Sequence, residues 1–188
     1  VFAGVYVFVF LRLTAAPAGE TVRVAGITPQ SGLPLLDRMF EMSDRAAIRQ
    51  EVQSHWDTYF AATVREAQAG AKVVIWPEGA GTVPFSDEAS FVAQAQEVAR
   101  QNEIYLAIGA FAFDLDKKRP QENKLLVIDP SGTIVIEHFK YGGAIMEGYR
   151  VQGDGKLQTV DTPFGVLSGV VCWDMDYPAI IQQAGQNG

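Results

Sequence analysis

The chain has 188 residues, 48% hydrophobic and 20% charged, which is the usage of one ordinary globular domain and excludes wholesale disorder. Its 15 Lys and Arg stand against 22 Asp and Glu, a net charge of −7, so the basic face that a nucleic-acid binder needs is missing. One cysteine, Cys172, excludes an internal disulfide and a Cys-rich zinc site, and two histidines, His55 and His138, argue against a His-based metal site.

Residues 1–11 (VFAGVYVFVFL) are uncharged and almost wholly apolar. Spanning a bilayer takes about 20 such residues, so the run is read as the trailing part of a transmembrane anchor over residues 1–13, with residues 14–20 as a linker and 21–188 as the domain. A signal-peptide core and a buried element of the domain are the competing readings. An anchor implies a membrane-associated protein whose domain is extracytoplasmic; the alternative is a cytoplasmic one. Thr21–Ile27 alternates and is rich in β-branched residues, which predicts a strand. Over Ser43–Ala69 the apolar residues Ile48, Val52, Trp56, Tyr59, Phe60, Val64 and Ala67 recur at helical spacing, and Gly70 stops the helix. The continuous apolar run Lys72–Trp76 suits a strand covered on both faces, ended by Pro77. A helix over Ser86–Gln101 and a buried strand over Ile104–Phe113 follow. Lys124–Ile128 and Thr133–Phe139 flank Asp-Pro-Ser-Gly and form one hairpin. Leu157–Val160 and Val166–Cys172 flank Thr-Pro-Phe-Gly and form another, before a last helix from Tyr177. Helices set between buried strands make this an α/β layered domain.

Three residues stand directly after apolar strands: Glu78 in VVIWPEGAG, Lys140 in IVIEHFKYGG and Cys172 in GVVCWDMDYP. Singly, each has a plain reading as a loop acid, a solvated lysine or a small buried thiol. Together they are a base, a cation and a thiol at strand ends, where sites in α/β sheets collect. Asp174 and Asp176 follow the cysteine; they either orient its turn through backbone N–H groups or cap the next helix, and capping is preferred.

These motifs resemble the nitrilase superfamily, the carbon–nitrogen hydrolases, which carry a Glu–Lys–Cys triad on an α-β-β-α sandwich. The order of the motifs and their separations, 62 residues from Glu78 to Lys140 and 32 on to Cys172, match. So do Asn123 to Gly132 (NKLLVIDPSG), Gly153-Asp154-Gly155 and Thr162-Pro163-Phe164-Gly165. The apolar opening before a Trp-Pro-Glu motif is similar to the membrane-bound apolipoprotein N-acyltransferase branch, although the run after Lys140, Tyr-Gly-Gly-Ala-Ile-Met-Glu-Gly-Tyr, departs from that branch. The family's sandwich continues past this point, so an incomplete C-terminal side is expected.

The resemblance implies that Cys172 attacks an amide or nitrile carbon, that Glu78 carries the proton, and that Lys140 and the backbone N–H of Trp173 hold the oxyanion. Glu147 would be a supporting acid beside Lys140. A thioester forms and is released by water in a hydrolase, or by an amine in an acyltransferase; a catalytically inactive binding module is the third possibility. The implied partners are a small amide, nitrile or acyl donor and, in oligomeric relatives, further copies of the chain. No metal or organic cofactor is called for.

Overall fold

The computed structural model describes residues 2–14, 21–28, 42, 44–116, 118–142 and 150–186. Five strands form one sheet in sequence order: β1 (Val24–Gly26), β2 (Val73–Pro84), β3 (Tyr105–Phe113), β4 (Glu122–Ile128) and β5 (Ile134–Phe139). The first three pair in parallel, and β4 pairs antiparallel with both neighbours. Consequently β1, β2, β3 and β5 share one direction, and their C-terminal ends lie along one edge. The parallel strands are linked by helices because a parallel crossover cannot be made by a tight turn. The β4–β5 link is the Asp-Pro-Ser-Gly turn anticipated from sequence, in which the Asp129 carboxylate accepts the N–H groups of Ser131 and Thr133.

One face of the sheet packs against two helices. The first, α2 (Arg45–Gln68), follows the short N-terminal α1 (Phe2–Thr14); it is capped by Asp44, which accepts the Ala46 N–H at 2.8 Å, and ends before Gly70 at φ +94°. Its buried stripe is Ile48, Val52, Trp56, Tyr59, Phe60 and Thr63. The second helix is α3 (Glu88–Asn102). Trp56, Tyr59, Phe60, Trp76 and Phe91 meet here with ring centroids 4.8 to 6.2 Å apart. Such aromatics bury about 150–250 Å² each and dominate a core of this size. Thr63, a polar position inside the stripe, is buried because its hydroxyl accepts the Trp76 indole N–H at 2.8 Å and donates to the Tyr59 carbonyl.

The other face of the sheet is covered by a hairpin of β6 (Thr159–Thr162) and β7 (Gly165–Ser168), with Val160 and Leu167 packed on Leu125, Val127, Ile136 and Val171. The result is a mixed α/β fold of helices, five-stranded sheet and second small sheet. The hairpin is shorter than the sequence indicated. β7 stops at Ser168, and Cys172 opens a 3-10 turn (Cys172–Asp176) that leads into α4 (Pro178–Gln186).

Two further corrections concern strand ends. Of the first expected strand, Val24–Gly26 forms the regular ladder with β2, and Arg23 and Ile27 add one backbone hydrogen bond each at its ends. Pro77 breaks the ladder, as a residue without an N–H must, but it does not end the strand. β2 pairs with β3 from Val73 to Trp76, bulges over Pro77–Ala80 and re-enters the sheet from Gly81 to Pro84. The bulge lies on Gly109 of β3, where a Cβ would stand 2.4 Å from the Pro77 oxygen and 2.6 Å from the Glu78 Cα. Glycine is required there for room.

The apolar opening run forms α1, a helix of 13 residues on which Val5 to Phe10 are exposed. Among the described residues no helix is long and apolar enough to cross a membrane.

Candidate active site

Strand parity decides which side chains reach the hairpin side of the sheet. On β4 the odd positions Asn123, Leu125 and Val127 face the hairpin, while Lys124, Leu126 and Ile128 face the helices. On β5, His138 and then Lys140 beyond its end fall on the hairpin side, two residues apart. The bulge after Trp76 presents Glu78 to the same place.

Here Glu78, Lys140 and Cys172 come together. The Lys140 ammonium donates to Glu78 Oε1 at 2.7 Å, and Asn123 Nδ2 donates to the same oxygen at 2.7 Å. The Cys172 thiol lies close enough for its titration and that of Glu78 to influence each other. Lys140 is buried beneath the other two, Glu78 is one-third exposed at its side chain, and Cys172 is exposed. A small molecule arriving from solvent therefore meets the thiol and the carboxylate first, with the cation behind them.

The charges follow from this packing. Burial disfavours the Glu78 carboxylate, but the Lys140 and Asn123 hydrogen bonds and the lysine's charge outweigh it and hold the carboxyl below its ordinary range. The Cys172 thiol is pushed up, first by burial and then by the Glu78 carboxylate; Lys140 and the Trp173 backbone N–H pull the other way without winning. The resting pair is thus an anionic Glu78 and a neutral thiol.

Cys172 sits in the left-handed region at φ +48°, a conformation that costs a non-glycine residue of order 1–3 kcal/mol. The turn keeps this geometry because it is tied from behind. Asp174 is fully buried, and its carboxylate accepts the N–H groups of Tyr141 (2.9 Å), Gly142 (2.7 Å) and Val171 (3.2 Å), and His138 Nε2 (2.9 Å). The capping role preferred from sequence is therefore corrected. Asp174 reaches back to the segment after Lys140 and to the residue before Cys172, not forward to α4. Arg150 adds a second tie, donating to the Lys140 carbonyl and, at 3.0 Å, to the Gly142 carbonyl.

Trp173 directly follows Cys172, and its backbone N–H favours the thiolate. Glu147 lies outside the described residues. Asn123, His138 and Arg150 were not singled out as site residues from sequence. Only strand parity, read outward from Lys140 and Leu125, could have flagged the first two. Among the described residues no group of three His, Cys, Asp or Glu side chains could hold a metal ion.

The carbon-nitrogen hydrolase family model matches residues 23–188. The chain belongs to this family, within the nitrilase superfamily. A deaminated glutathione amidase from Dictyostelium discoideum is 28% identical over 108 residues, covering 51% of this chain and 37% of that protein. Among solved structures, a Glu-to-Gln mutant of the amidase from Nesterenkonia sp. AN1, showing Michael addition of acrylamide at its active site cysteine, superposes with a TM-score of 0.59 at 20% identity over 73% of this chain and 58% of that one. The C. elegans NitFhit protein gives a TM-score of 0.62 at 19% identity, over 73% of this chain and 38% of that one. A carbon-nitrogen hydrolase from Helicobacter pylori G27 gives 0.56 at 16% identity, over 70% and 50%. The chain therefore spans between about a third and three-fifths of the length of these relatives, and at these identities the structures speak for the fold alone.

Proposed function

We propose that the protein is a thiol amidase that cleaves the C–N bond of a small amide through a thioester on Cys172. The observation that carries this reading is the Glu78 carboxylate bonded at once by Lys140 and Asn123 and facing the Cys172 thiol closely enough to shift its titration. The amidase names of the relatives agree with it.

A carboxylate held low and a thiol held high do not exchange a proton spontaneously in the resting site. Thiolate formation is therefore coupled to attack: as the C–S bond forms, the thiol proton passes to Glu78 and the carbonyl electrons move onto oxygen. The Lys140 ammonium and the Trp173 N–H receive that oxyanion, and a donor of this kind contributes about 3–4 kcal/mol to the barrier. The C–N bond then breaks, Glu78 returns its proton to the departing amine, and the thioester remains. Water, giving a proton to Glu78, releases the acid and restores the thiol.

Intact-mass analysis of the full-length protein after mixing with a primary amide or a haloacetamide tests this. One adduct is expected, absent in Cys172→Ala; with the amide it forms about a hundredfold or more slowly in Lys140→Ala. A folded protein without an adduct refutes the reading. Transfer of the acyl group to an amine differs only in the last step, so challenging the trapped thioester with water and with lipid-linked amines separates the two. The exposed apolar α1 supports association with a membrane, which vesicle flotation with and without residues 1–14 measures.

A further inference from the structure

On the helix face of the sheet, away from the triad, lies a hollow of about 560 Å³ between the edge strand β1 and α2. Thr58, Ala61, Ala62 and Arg65 recur at three- and four-residue spacing, so one stripe of α2 overhangs the edge, and its two alanines leave the space open. The buried Ile27 supplies an apolar wall, and Thr28 stands at the end of the strand. The volume falls in the range of small-molecule sites, about 300–1,000 Å³.

The polar groups of the hollow narrow its occupant. Tyr59 is 2% exposed, and its ring is held by Trp76 and His55 with centroids 4.8 Å from each. Its hydroxyl nevertheless has no hydrogen-bond partner among the described residues, and burial alone pushes its titration up. Because Tyr59 lines the hollow, what enters there can supply the missing bond. Thr58 gives its hydrogen to the Ser54 carbonyl at 3.0 Å, which leaves its oxygen as an acceptor. The ionic groups at the rim are engaged with one another: Glu66 accepts from Arg23 at 3.1 Å and from Arg65 at 3.2 Å. That favours a neutral occupant. The strand adds a backbone partner. The Ile27 N–H donates to the Ile75 carbonyl and the Arg23 carbonyl accepts the Lys72 N–H, both toward β2, so the alternate N–H and C=O groups of β1 face away from the sheet. An extended peptide is the complement of such an edge.

We propose that the hollow binds a short, neutral peptide in extended form, its backbone laid along the open edge of β1 and one side chain carrying a polar tip to the Tyr59 hydroxyl. The triad occupies the opposite face of the sheet, so this site stands whether or not the amidase reading does.

The test titrates N-acetylglutamine methylamide and N-acetylleucine methylamide into the full chain carrying Cys172→Ala, so that neither amide is cleaved, and follows the backbone 15N–1H resonances. Saturable shifts are expected at Ile27, Thr28 and Ala62. The glutamine probe is expected to bind with a Kd on the order of 1 mM, and the leucine probe about 5–10-fold more weakly, by the loss of one hydrogen bond. Tyr59→Phe keeps the ring and is expected to bring the two probes to the same affinity. Ala61→Leu, at an exposed position, fills the hollow and is expected to abolish both titrations. Shifts that do not saturate, shifts confined to the surroundings of Glu78 and Lys140, or a Tyr59→Phe protein that still prefers glutamine overturn the proposal. Sedimentation without probe is expected to be the same with and without Ala61→Leu; a dimer broken by that substitution would assign the hollow to a second copy of the chain and overturn it as well.

Discussion

Gly109→Ala probes the site without replacing any residue in it. A Cβ at position 109 would lie 2.4 Å from the Pro77 oxygen, 2.6 Å from the Glu78 Cα and 2.7 Å from the Pro77 carbonyl carbon, all of them backbone atoms. Comfortable carbon–carbon contact begins near 3.5 Å, so the bulge must retreat by about 1 Å, and Glu78 with it. The bulge has little freedom to comply. His55 Nε2 holds the Ala80 carbonyl at 3.0 Å and the Trp56 indole holds the Thr82 carbonyl at 2.9 Å, both from α2. A misplacement of this size costs about a hundredfold in rate, or roughly 2.7 kcal/mol on the barrier. Overpacking removes about 1–3 kcal/mol of stability besides. The assay is kcat/KM on a primary amide, with the rate of Cys172 adduct formation and urea unfolding measured on the same preparations. Gly26→Ala, with nothing within 4 Å of its Cβ, is the control and is expected to leave both rates unchanged. A folded Gly109→Ala protein with unaltered kinetics would refute the claim that the bulge positions Glu78.

Glu78→Gln removes the negative charge that helps to push the Cys172 thiol up and leaves Lys140 in place. Iodoacetamide alkylation of Cys172 should then titrate at lower pH than in the unaltered protein while amide turnover is lost; an upward or absent shift contradicts the assignment. Because Glu78 must be ionised to act and is held low, the acid limb of kcat/KM should lie below the ordinary glutamate range, with activity lost as pH falls through it. Asn123→Ala removes one of the bonds holding it there, so that limb should move to higher pH, with Lys140 and Cys172 still facing Glu78; an unmoved limb would mean that Asn123 is structural only. Lys124→Met should destabilise the fold by about 3 kcal/mol in urea melts, because it strands the Glu88, Glu122 and Glu137 carboxylates that the buried ammonium now holds at 2.8 to 3.1 Å. A loss under about 1 kcal/mol would reduce the cluster to ordinary surface pairs.

Much of this site was legible in the sequence because its parts are marked locally. Apolar runs end at Glu78, Lys140 and Cys172, and turn residues break the runs where the hairpins close. What was misread depends on pairing across the fold. Pro77 looked like a strand end because it cannot donate to a ladder, but whether the chain returns to the sheet is decided by β3, which offers Gly109 opposite the bulge and partners again from Ala110. Asp174 and Asp176 looked alike as acids before a helix. Only the approach of β5 gives Asp174 the N–H groups of Tyr141 and Gly142 and the ring of His138.

The contrast is sharpest on β4. Asn123 and Lys124 are adjacent, and the sequence by itself determines that they point to opposite faces, since alternation is intrinsic to a strand. Which face holds the reacting groups is a tertiary matter: Asn123 meets Glu78, and Lys124 meets Glu88 of α3. The sequence likewise determined the chemical types and their order along the chain, an acid, then a lysine, then the one thiol. The tertiary structure decided that Lys140 bonds Glu78 and that the thiol lies beside them, pushed up by burial and by the Glu78 carboxylate. The reason is physical: periodicity and turn chemistry act over a few residues, whereas hydrogen bonds and charges act over a few ångströms, and only folding turns 62 residues of separation into 2.7 Å.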